Sequence, residues 1–291
     1  MPVFAVIPTH NRKSILRATL KSLTEQTVRP LIVVGDGGSS DGTAAMIAAD
    51  FPDVVLCPGS TELWWTGATN LALAEALRRA GPDDHILCIN DDLLVRPDYV
   101  EKLLACAAAS PRRIVGSVTV SVSAPQIICD GGVRVNWWTA GGARLNANRK
   151  LSEFPPGHVE PVDVLAGRGA LYPVSVFREL GVFPESRLPH YAADYAFSAR
   201  CGRAGYELVV SYDAVVLSRV ELTGMLAPRR RLSIGEACRF FFSRRSAGNL
   251  RDRFHYAWLA RSNAVQAAAF FLTSVPRLVH RYVKGANGGR F

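Results

Sequence analysis

The sequence lacks the features that define several common classes of protein. None of its six cysteines belongs to a Cys-x-x-Cys pair, so no zinc framework or thioredoxin-like motif is indicated. Because the cysteines are scattered and several lie in apolar stretches, we interpret them as reduced core thiols of a cytoplasmic protein. No stretch reaches the ~18 to 20 apolar residues of a membrane span. No basic region precedes the short apolar segment at the N-terminus, so we expect no signal peptide.

The C-terminal part of the sequence is poor in acidic residues. From Arg229 onwards there are thirteen Lys and Arg against only Glu236 and Asp252, a net charge of +11 in a chain that carries +9. Residues 1–228 are therefore close to neutral. A basic segment on a near-neutral domain is typical of a protein that contacts an anionic surface. The segment contains no recognisable nucleic-acid-binding motif, so we expect no nucleic acid among the partners.

Short apolar segments alternate with amphipathic ones along the first third of the chain. The 291 residues are 48% hydrophobic, which is enough for a sizeable core. Strands are predicted at 3–7, 31–34, 54–57 and 86–89, and helices at 12–24, 43–49, 68–80 and 97–109. This alternation predicts a parallel doubly wound sheet. Further strands are predicted at 114–122, 131–142, 162–165 and 208–211, further helices at 174–180 and 194–204, and a basic helical segment beyond residue 229.

An amide and two carboxylates, Asn90, Asp91 and Asp92, directly follow the apolar segment 86–89. Ligands of open α/β sheets bind beyond the carboxyl ends of the strands, which is where these side chains are expected. Two adjacent carboxylates repel each other, so a nearby cation would stabilise them. A hard divalent ion that carries a diphosphate is the candidate. The alternative is a polar loop in which Asp92 or Asp98 caps the next helix.

Three loops contain further candidate residues. The segment 35–42 follows a predicted strand; its glycines would let a ligand approach the backbone, and Asp36 would accept hydrogen bonds from a base or ribose. It lacks the spacing of the known phosphate loops, so an ordinary turn is the alternative. Trp64 and Trp65 would form a flat wall for a sugar or base, or belong to the core. Asp194 is expected where a helix begins, either as a first-turn acid or as a general base that His190 assists.

In this order, the segments resemble the family-2 inverting glycosyltransferases of GT-A fold, and rhamnosyltransferases among them. The matching segments are Val6-Ile7-Pro8-Thr9-His10-Asn11-Arg12, residues 33–43, Asn90-Asp91-Asp92, and residues 191–195 with 203–206 behind them. The resemblance spans residues 3 to about 212. It implies a mixed sheet flanked by helices in a catalytic domain at 1–228, with a nucleotide-sugar half at about 1–112 and an acceptor half at about 113–228. A basic helical extension follows at 229–291.

The resemblance implies a role for each matched residue. Asp194 matches the catalytic base, although Ala193 replaces its usual Glu neighbour. Asp92 matches the last acid of the Asp-x-Asp metal motif and would bind Mg²⁺ or Mn²⁺, with Asn90 in the place of the first acid. The residues implied to bind the nucleotide and donor are Pro8, Thr9, Asn11, Arg12, Asp36, Gly38, Trp65, Gly67, Asn70, Asn90 and Asp91. Those implied on the acceptor side are Gly167, Arg168, Gly169, His190 and Tyr191.

The implied reaction transfers a hexose or deoxyhexose from a nucleoside diphosphate to a hydroxyl of a glycan or lipid-linked acceptor in cell-surface polysaccharide synthesis. Asp194 would remove the hydroxyl proton while C1 is attacked from the opposite face, which inverts the anomeric configuration. Two alternatives remain. A sugar nucleotidyltransferase would need a glycine-rich, basic triphosphate loop, which is not seen near residues 8–20. A non-catalytic nucleotide-sugar binding module is the other, since Asn90 and Ala193 depart from the family pattern.

The C-terminal segment contains an apolar stretch, 264–275, flanked by Arg261 and Arg277. It is too short to span a bilayer but suits a helix that lies in the membrane surface. We therefore expect a cytoplasmic protein that contacts the anionic inner face of the membrane through residues 229–291. The alternative is a helical hairpin packed on the catalytic domain or on the second subunit of a homodimer.

Overall fold

The computed structural model of the chain describes residues 1–219 and 233–286. The strands are β1 Val3–Thr9, β2 Leu31–Asp36, β3 Val55–Pro58, β4 His85–Cys88, β5 Leu93–Val95, β6 Arg113–Ser121, β7 Ala124–Asp130, β8 Val133–Asn136, β9 Gly141–Arg144, β10 Val159–Pro161, β11 Ala170–Pro173 and β12 Glu207–Ser218. The helices are α1 Lys13–Thr24, α2 Thr43–Asp50, α3 Trp64–Arg79, α4 Tyr99–Ala107, α5 Val174–Leu180, α6 Ala193–Arg203, α7 Ile234–Phe242, α8 Leu250–Leu259 and α9 Ala264–Ala286.

One mixed sheet has the strand order β10-β12-β6-β11-β4-β1-β2-β3. Its first half is parallel, as predicted: β1 pairs in parallel with both β2 and β4, and β2 with β3. The sheet as a whole is mixed, as the resemblance implied, because β11 runs antiparallel to β4 and β6. Parallel neighbours need a crossover connection, usually a helix. The chain between β6 and β11 instead forms short strands and hairpins, so it enters β11 from the opposite end of the sheet.

The parallel half of the sheet is covered by helices on both faces. All seven residues of β1 are buried, as expected for a strand with packed neighbours on either side. Alternate β1 residues belong to two separate clusters. On one face Val3, Ala5 and Ile7 pack with Leu16, Leu20 and Leu23 of α1. On the other face Phe4 and Val6 pack with Ala72, Leu73 and Ala76 of α3.

One local prediction is wrong, and α1 begins without a side-chain cap, with Arg12 at its N-cap position. The segment 162–165 is not a strand; within it Val164 forms an isolated bridge with Val133. Its path is set instead by a side chain, since the hydroxyl of Ser198 accepts the N–H of Leu165 at 2.9 Å.

The C-terminal helices pack against α6 and the β8–β9 hairpin. Tyr256 of α8 and Phe270 of α9 share a buried cluster with Ala196 of α6 and with Trp137 of the hairpin. The guanidinium of Arg203 donates to the carbonyls of Leu259 and Ala260, at 2.8 and 2.6 Å, and thereby satisfies the last carbonyls of α8. The predicted boundary at 228 lies outside the described residues. Within residues 1–219 and 233–286, no helix combines the length and apolar character that crossing a bilayer requires.

Candidate active site

The carboxyl ends of the neighbouring strands β1, β2 and β4 meet at one edge of the sheet. Thr9, the last residue of β1, lies opposite Asp36, the last residue of β2. The carbonyl of Thr9 accepts the N–H of Gly37 at 2.9 Å, which ties the two loops together. Its hydroxyl donates to Oδ2 of Asp91, beyond the end of β4, at 2.8 Å. The structure thus brings together Thr9, Asp36 and Asp91, which the sequence predicts to share a site.

Arg12 forms ion pairs with both acids of the Asn90-Asp91-Asp92 motif. One terminal nitrogen lies 2.7 Å from Oδ1 of Asp91, and the other lies 3.1 Å from Oδ2 of Asp92. Burial raises the pKa of Asp91 to about 6, although the charge of Arg12 and the hydroxyl of Thr9 lower it. The guanidinium therefore compensates two adjacent carboxylates that would otherwise repel each other at a buried position.

One oxygen of the motif is left for a cation. Oδ1 of Asp92 is buried and has no hydrogen-bond partner in the described part of the chain. A carboxylate oxygen is a hard donor that suits Mg²⁺ or Mn²⁺. Residues 1–219 and 233–286 contain no group of three or more His, Cys, Asp and Glu side chains that would bind a metal by itself. The residues therefore fit an ion that takes most of its ligands from a bound diphosphate.

Asp36 lies in a small hydrogen-bonded loop. Its Oδ1 accepts both the N–H and the hydroxyl of Ser39, at 2.9 and 2.6 Å. The backbone N–H of Asn11 donates to the same hydroxyl at 2.8 Å, and its Oδ1 accepts the N–H of Ser40 at 2.8 Å. Asn11 reaches both partners with a positive φ of 51°, a conformation that asparagine tolerates better than most residues. These bonds fix Oδ1 of Asp36 and the loop around it.

Three further residues that the resemblance implies on the donor side lie in closely packed segments. Gly38 has a φ of 77°, and a Cβ there would lie 3.0 Å from the backbone nitrogen of Thr61. A Cβ on Gly67 would lie 2.6 Å from Oε1 of Glu185. The amide of Asn70 donates to the carbonyl of Phe183 at 3.0 Å and accepts its N–H at 3.2 Å. Asn70 therefore holds the segment that contacts the start of α3, and its role towards a donor stays a prediction.

Asp194 lies in the first turn of α6, as predicted. Its Oδ2 accepts the N–H of Gly167 at 2.8 Å, and its Oδ1 accepts the N–H of Tyr195 at 2.9 Å. Burial raises the pKa of Asp194, while these hydrogen bonds and the charge of Arg168 lower it. Ala192, the N-cap residue of α6 two positions before Asp194, has a φ of 63°, which is rare for a residue with a side chain. The two backbone hydrogen bonds fix the orientation of the carboxylate.

Trp65 joins the acid motif to the neighbourhood of Asp194. Its indole N–H donates to Oδ1 of Asn90 at 2.9 Å. A Cβ on Gly167 would lie 2.6 Å from the ring, so only glycine allows the backbone N–H that Asp194 accepts to come so close. The same ring packs on Phe183 at 6.1 Å and on a buried apolar cluster, so a role for Trp65 in the wall of the site stays a prediction beside the core alternative.

The other acceptor-side residues lie on two sides of this centre. Arg168 faces Asp130 at 3.4 Å, and both line a cavity together with Ser117, Val164 and Tyr195. Asp130 was not predicted, because its pairing with Arg168 joins segments 38 residues apart. Gly169, with a φ of 90°, donates to the carbonyl of Cys88 at 2.9 Å.

His190 and Tyr191 form a separate aromatic group with Trp64. The ring of His190 lies 4.3 Å from that of Tyr191 and 5.5 Å from that of Trp64. Burial and the charge of Arg245 lower the pKa of His190. In the described part of the chain no hydrogen bond joins His190 to Asp194, so the structure gives no support to the predicted assistance of the base.

Two protein-family models match this chain. A family model described as Glycosyl transferase family 2 matches residues 4–155. The chain belongs to glycosyltransferase family 2. A second model, Glycosyl transferase family group 2, matches residues 85–279 and so includes Asp194 and most of the C-terminal helices. The chain is therefore a glycosyltransferase, as the resemblance implied, and the nucleotidyltransferase alternative is set aside.

Relatives of this glycosyltransferase support the assignment. It is 30% identical over 241 residues to N-acetylglucosaminyl-diphospho-decaprenol L-rhamnosyltransferase of Mycobacterium tuberculosis, an alignment that covers 75% of each chain. The mannosyltransferase PcManGT of Pyrobaculum calidifontis, solved with GDP-Man and Mn²⁺, has a TM-score of 0.58 at 18% identity over 99% of this chain and 76% of its own. A GalNAc-transferase solved with UDP, GalNAc and Mn²⁺ has a TM-score of 0.61 at 17% identity, over 75% of this chain but 44% of its own. The predicted GT-A fold is confirmed.

Proposed function

We propose that this family-2 enzyme is an inverting glycosyltransferase that moves a deoxyhexose, L-rhamnose, from a nucleoside-diphosphate donor to a hydroxyl of a lipid-linked glycan. The sugar and the acceptor class rest on the 30% identity to a rhamnosyltransferase whose named acceptor is a diphospho-decaprenol. The inverting chemistry rests on one observation. Asp194 is a single fixed carboxylate, held by Gly167 beside the Trp65 ring that also contacts the acid motif.

Asp194 acts as the general base in this proposal. Each of its oxygens accepts one backbone N–H, so each retains a lone pair that can take a proton. Burial raises the pKa of the group, which makes it a better base than an exposed aspartate. It removes the proton of the acceptor hydroxyl while that oxygen attacks C1 on the face opposite the departing diphosphate. A positioned base contributes about 10²- to 10⁴-fold in rate.

The donor lies along the strand edge in this proposal. Oδ2 of Asp36 accepts hydrogen bonds from the nucleoside, and the loop that Asn11 and Ser39 stabilise holds the carboxylate in place. Oδ1 of Asp92 and the diphosphate oxygens would hold Mg²⁺ or Mn²⁺. When bound, such an ion neutralises the charge that develops on the leaving diphosphate. Arg12 keeps Asp91 and Asp92 in their places while the donor binds.

The acceptor side is proposed to comprise Gly167, Arg168, Gly169, His190 and Tyr191. Arg168 and Asp130 place opposite charges on the wall of a cavity next to Tyr195, the residue that follows the base. Such a pair offers both donors and acceptors to the hydroxyls of a sugar. This division, with the donor before residue 112 and the acceptor after it, is the two-half organisation expected from the sequence.

The outer face of α9 is proposed to lie on an anionic membrane surface. Val265, Leu272, Val279 and Val283 share one side of the helix and are 70, 67, 45 and 39% exposed. The opposite side packs on the protein through Phe270, Leu278 and Tyr282. Lys284 is exposed next to this apolar stripe, and a basic residue near an anionic surface contributes about 1 kcal/mol. A cytoplasmic enzyme held in this way would meet an acceptor anchored in the inner face of the bilayer.

The test of the proposed function is a thermal-shift and transfer assay with the full chain. Sugars carried on UDP, GDP and TDP are titrated with and without Mn²⁺, since a ligand at 100 times its Kd stabilises the folded state by about 2.7 kcal/mol. The donor that binds is then incubated with a lipid-linked N-acetylglucosaminyl diphosphate, and the product linkage is read by NMR. A product with inverted configuration supports the proposal. Retention of configuration, or binding without any transfer, contradicts it.

A further inference from the structure

Three side chains form a polar cluster next to the acceptor side, which we call the Trp64 cluster: Trp64, His190 and Arg245. The rings of Trp64 and His190 lie 5.5 Å apart, and the guanidinium carbon of Arg245 lies 5.9 Å from the Trp64 ring centroid. Arg245 belongs to the connection between α7 and α8. The C-terminal helices therefore bring a cation to the loop that precedes the catalytic base.

Two polar atoms of the Trp64 cluster have no partner. The indole Nε1 of Trp64 and Nδ1 of His190 are both buried and make no hydrogen bond within the described residues. A buried polar atom without a partner costs about 1–3 kcal/mol, and two of them side by side call for an explanation. Trp64 also adopts a φ of 52°, a strained conformation for a bulky residue that is found mainly at functional sites.

The Trp64 cluster is also electropositive. No carboxylate among residues 1–219 and 233–286 forms an ion pair with Arg245, whose side chain is exposed. The nearby acid Asp252 is influenced by Arg244 and Arg251 instead. The charge of Arg245 adds to burial in lowering the pKa of His190, so the imidazole lies beside an uncompensated cation. An anion bound here would neutralise Arg245 and accept hydrogen bonds from both rings.

The Trp64 cluster is connected through the backbone to the candidate active site. Trp65, the neighbour of Trp64, reaches Asn90 and the glycine that holds Asp194. The N–H of Thr66 donates to the carbonyl of Pro189 at 3.0 Å, so α3 and the loop before the base are fixed to each other. An acceptor anion at Trp64 would thus place the attached sugar towards Trp65 and Asp194.

We propose that Trp64, His190 and Arg245 form a phosphate-binding subsite that receives the diphosphate of the lipid-linked acceptor. This proposal rests on the proposed function and identifies the group by which that enzyme would recognise its acceptor. The diphosphate first binds the exposed guanidinium of Arg245. Once the side chain of Arg245 turns towards the diphosphate, the buried indole N–H of Trp64 and the imidazole of His190 become hydrogen-bond donors to it. The subsite distinguishes a diphosphate-linked sugar from a simple glycoside of the same sugar.

The test compares binding of two probes to the full chain without donor. The probes are a short-chain alkyl N-acetylglucosaminyl diphosphate and the alkyl N-acetylglucosaminide without the diphosphate, titrated by calorimetry. Arg245→Gln is expected to weaken the diphosphate probe about 10- to 100-fold, the range for a lost charge-assisted hydrogen bond. Binding of the glycoside probe should be the same in Arg245→Gln and in the wild type. Trp64→Phe keeps an aromatic ring without its N–H and is expected to weaken the diphosphate probe alone, by about 5- to 10-fold.

Arg244→Gln is the matched control, since it removes the same charge from the neighbouring exposed residue. An equal loss in Arg244→Gln and Arg245→Gln would mean non-specific charge and would overturn the subsite, as would unchanged binding in Arg245→Gln. Vesicles of phosphatidylglycerol distinguish an acceptor diphosphate from a lipid headgroup as the source of phosphate. If Arg245→Gln weakens binding to vesicles but not to the soluble diphosphate probe, the Trp64 cluster binds lipid headgroups. Donor titrations accompany every variant. If no sugar nucleotide binds even the wild type, the proposed function has failed instead.

Discussion

The indole N–H of Trp65 donates a 2.9 Å hydrogen bond to Oδ1 of Asn90. This contact joins α3 to the acid motif at the end of β4, and the far edge of the same ring contacts Gly167, which holds Asp194. The side-chain oxygen of Asn90 is therefore engaged by the protein, and Oδ1 of Asp92 is the buried carboxylate oxygen of the motif that has no partner within the described residues. Position 90 therefore contributes a hydrogen bond to Trp65 where the Asp-x-Asp pattern has a carboxylate.

Replacement of Asp194 by Asn is expected to lower kcat by about 10²-fold or more, because the amide retains the size of the side chain but is not a base. Donor affinity should stay nearly unchanged, since Asp194 is not among the residues predicted to bind the donor. Steady-state kinetics and donor thermal shifts measure the two effects. Glu207→Gln, which alters an exposed acid paired with Arg113 on β6, is the control and should keep wild-type kcat. If kcat holds in Asp194→Asn, the carboxylate only orders the start of α6.

Replacement of Asp92 by Ala is expected to abolish metal-dependent donor binding and to leave the fold intact. The reason is that Oδ1 of Asp92 is the enclosed carboxylate oxygen of the motif that lacks a partner within the described residues. The measurement is the thermal shift that donor and Mn²⁺ produce together, against the shift with donor and EDTA. Asp98→Ala, at the start of α4 where the side chain caps nothing, should behave like wild type. Full metal dependence in Asp92→Ala would remove this residue from the metal site.

Replacement of Arg12 by Gln should destabilise the metal-free protein by about 1–3 kcal/mol, because it leaves two buried carboxylates uncompensated. The same variant should be stabilised more by Mn²⁺ than the wild type, since a cation then meets both acids without competition. Urea unfolding with and without Mn²⁺ measures both effects. The control is Arg17→Gln, which breaks the exposed pair with Asp50 and should cost less than about 1 kcal/mol. An equal Mn²⁺ effect in Arg12→Gln and wild type would show that Arg12 does not influence the cation site.

The raised pKa of Asp91 predicts a pH dependence of stability. A folded-state pKa of about 6 against an ordinary value of 3.8 means that the folded protein holds this proton more tightly than the unfolded chain. The contribution of this proton to the free energy of unfolding is about 3 kcal/mol. It is fully present below pH ~4 and is lost as the pH rises through about 6. Asp91→Asn does not titrate. Its stability relative to wild type should therefore rise between pH 4 and 7, and a difference independent of pH in urea unfolding would contradict the assignment.

The sequence predicts the parts of the site that local pattern determines. An apolar segment followed by Asn90, Asp91 and Asp92 predicts both a buried strand and polar residues at its carboxyl end, because burial and strand direction follow from nearby residues. The same holds for β2 and Asp36. Each prediction required only one segment and the rule that the carboxyl ends of parallel strands lie at the same edge of the sheet.

The contacts that join distant segments could not be predicted in this way. Arg12 meets acids about 80 residues further along the chain, and Trp65 meets an amide 25 residues away. These pairings depend on which strands are neighbours and on how α3 packs, not on local periodicity. Strand β11 was not predicted either, because four apolar residues do not reveal by themselves whether they form a strand or in which direction it runs.

The exposed stripe on α9 supplies the test of membrane contact. The double variant Leu272→Gln with Val279→Gln should weaken binding to phosphatidylglycerol vesicles by at least about tenfold at low salt, because each side chain loses part of the ~1.5–3 kcal/mol of full apolar burial. Sedimentation with vesicles measures this loss, and raised salt should weaken the wild type as well. Leu31→Gln, at an exposed leucine of β2, is the control and should bind vesicles like the wild type. If the wild type ignores vesicles and sediments as a dimer that the double variant dissociates, the stripe is an interface between two copies and the membrane proposal is wrong.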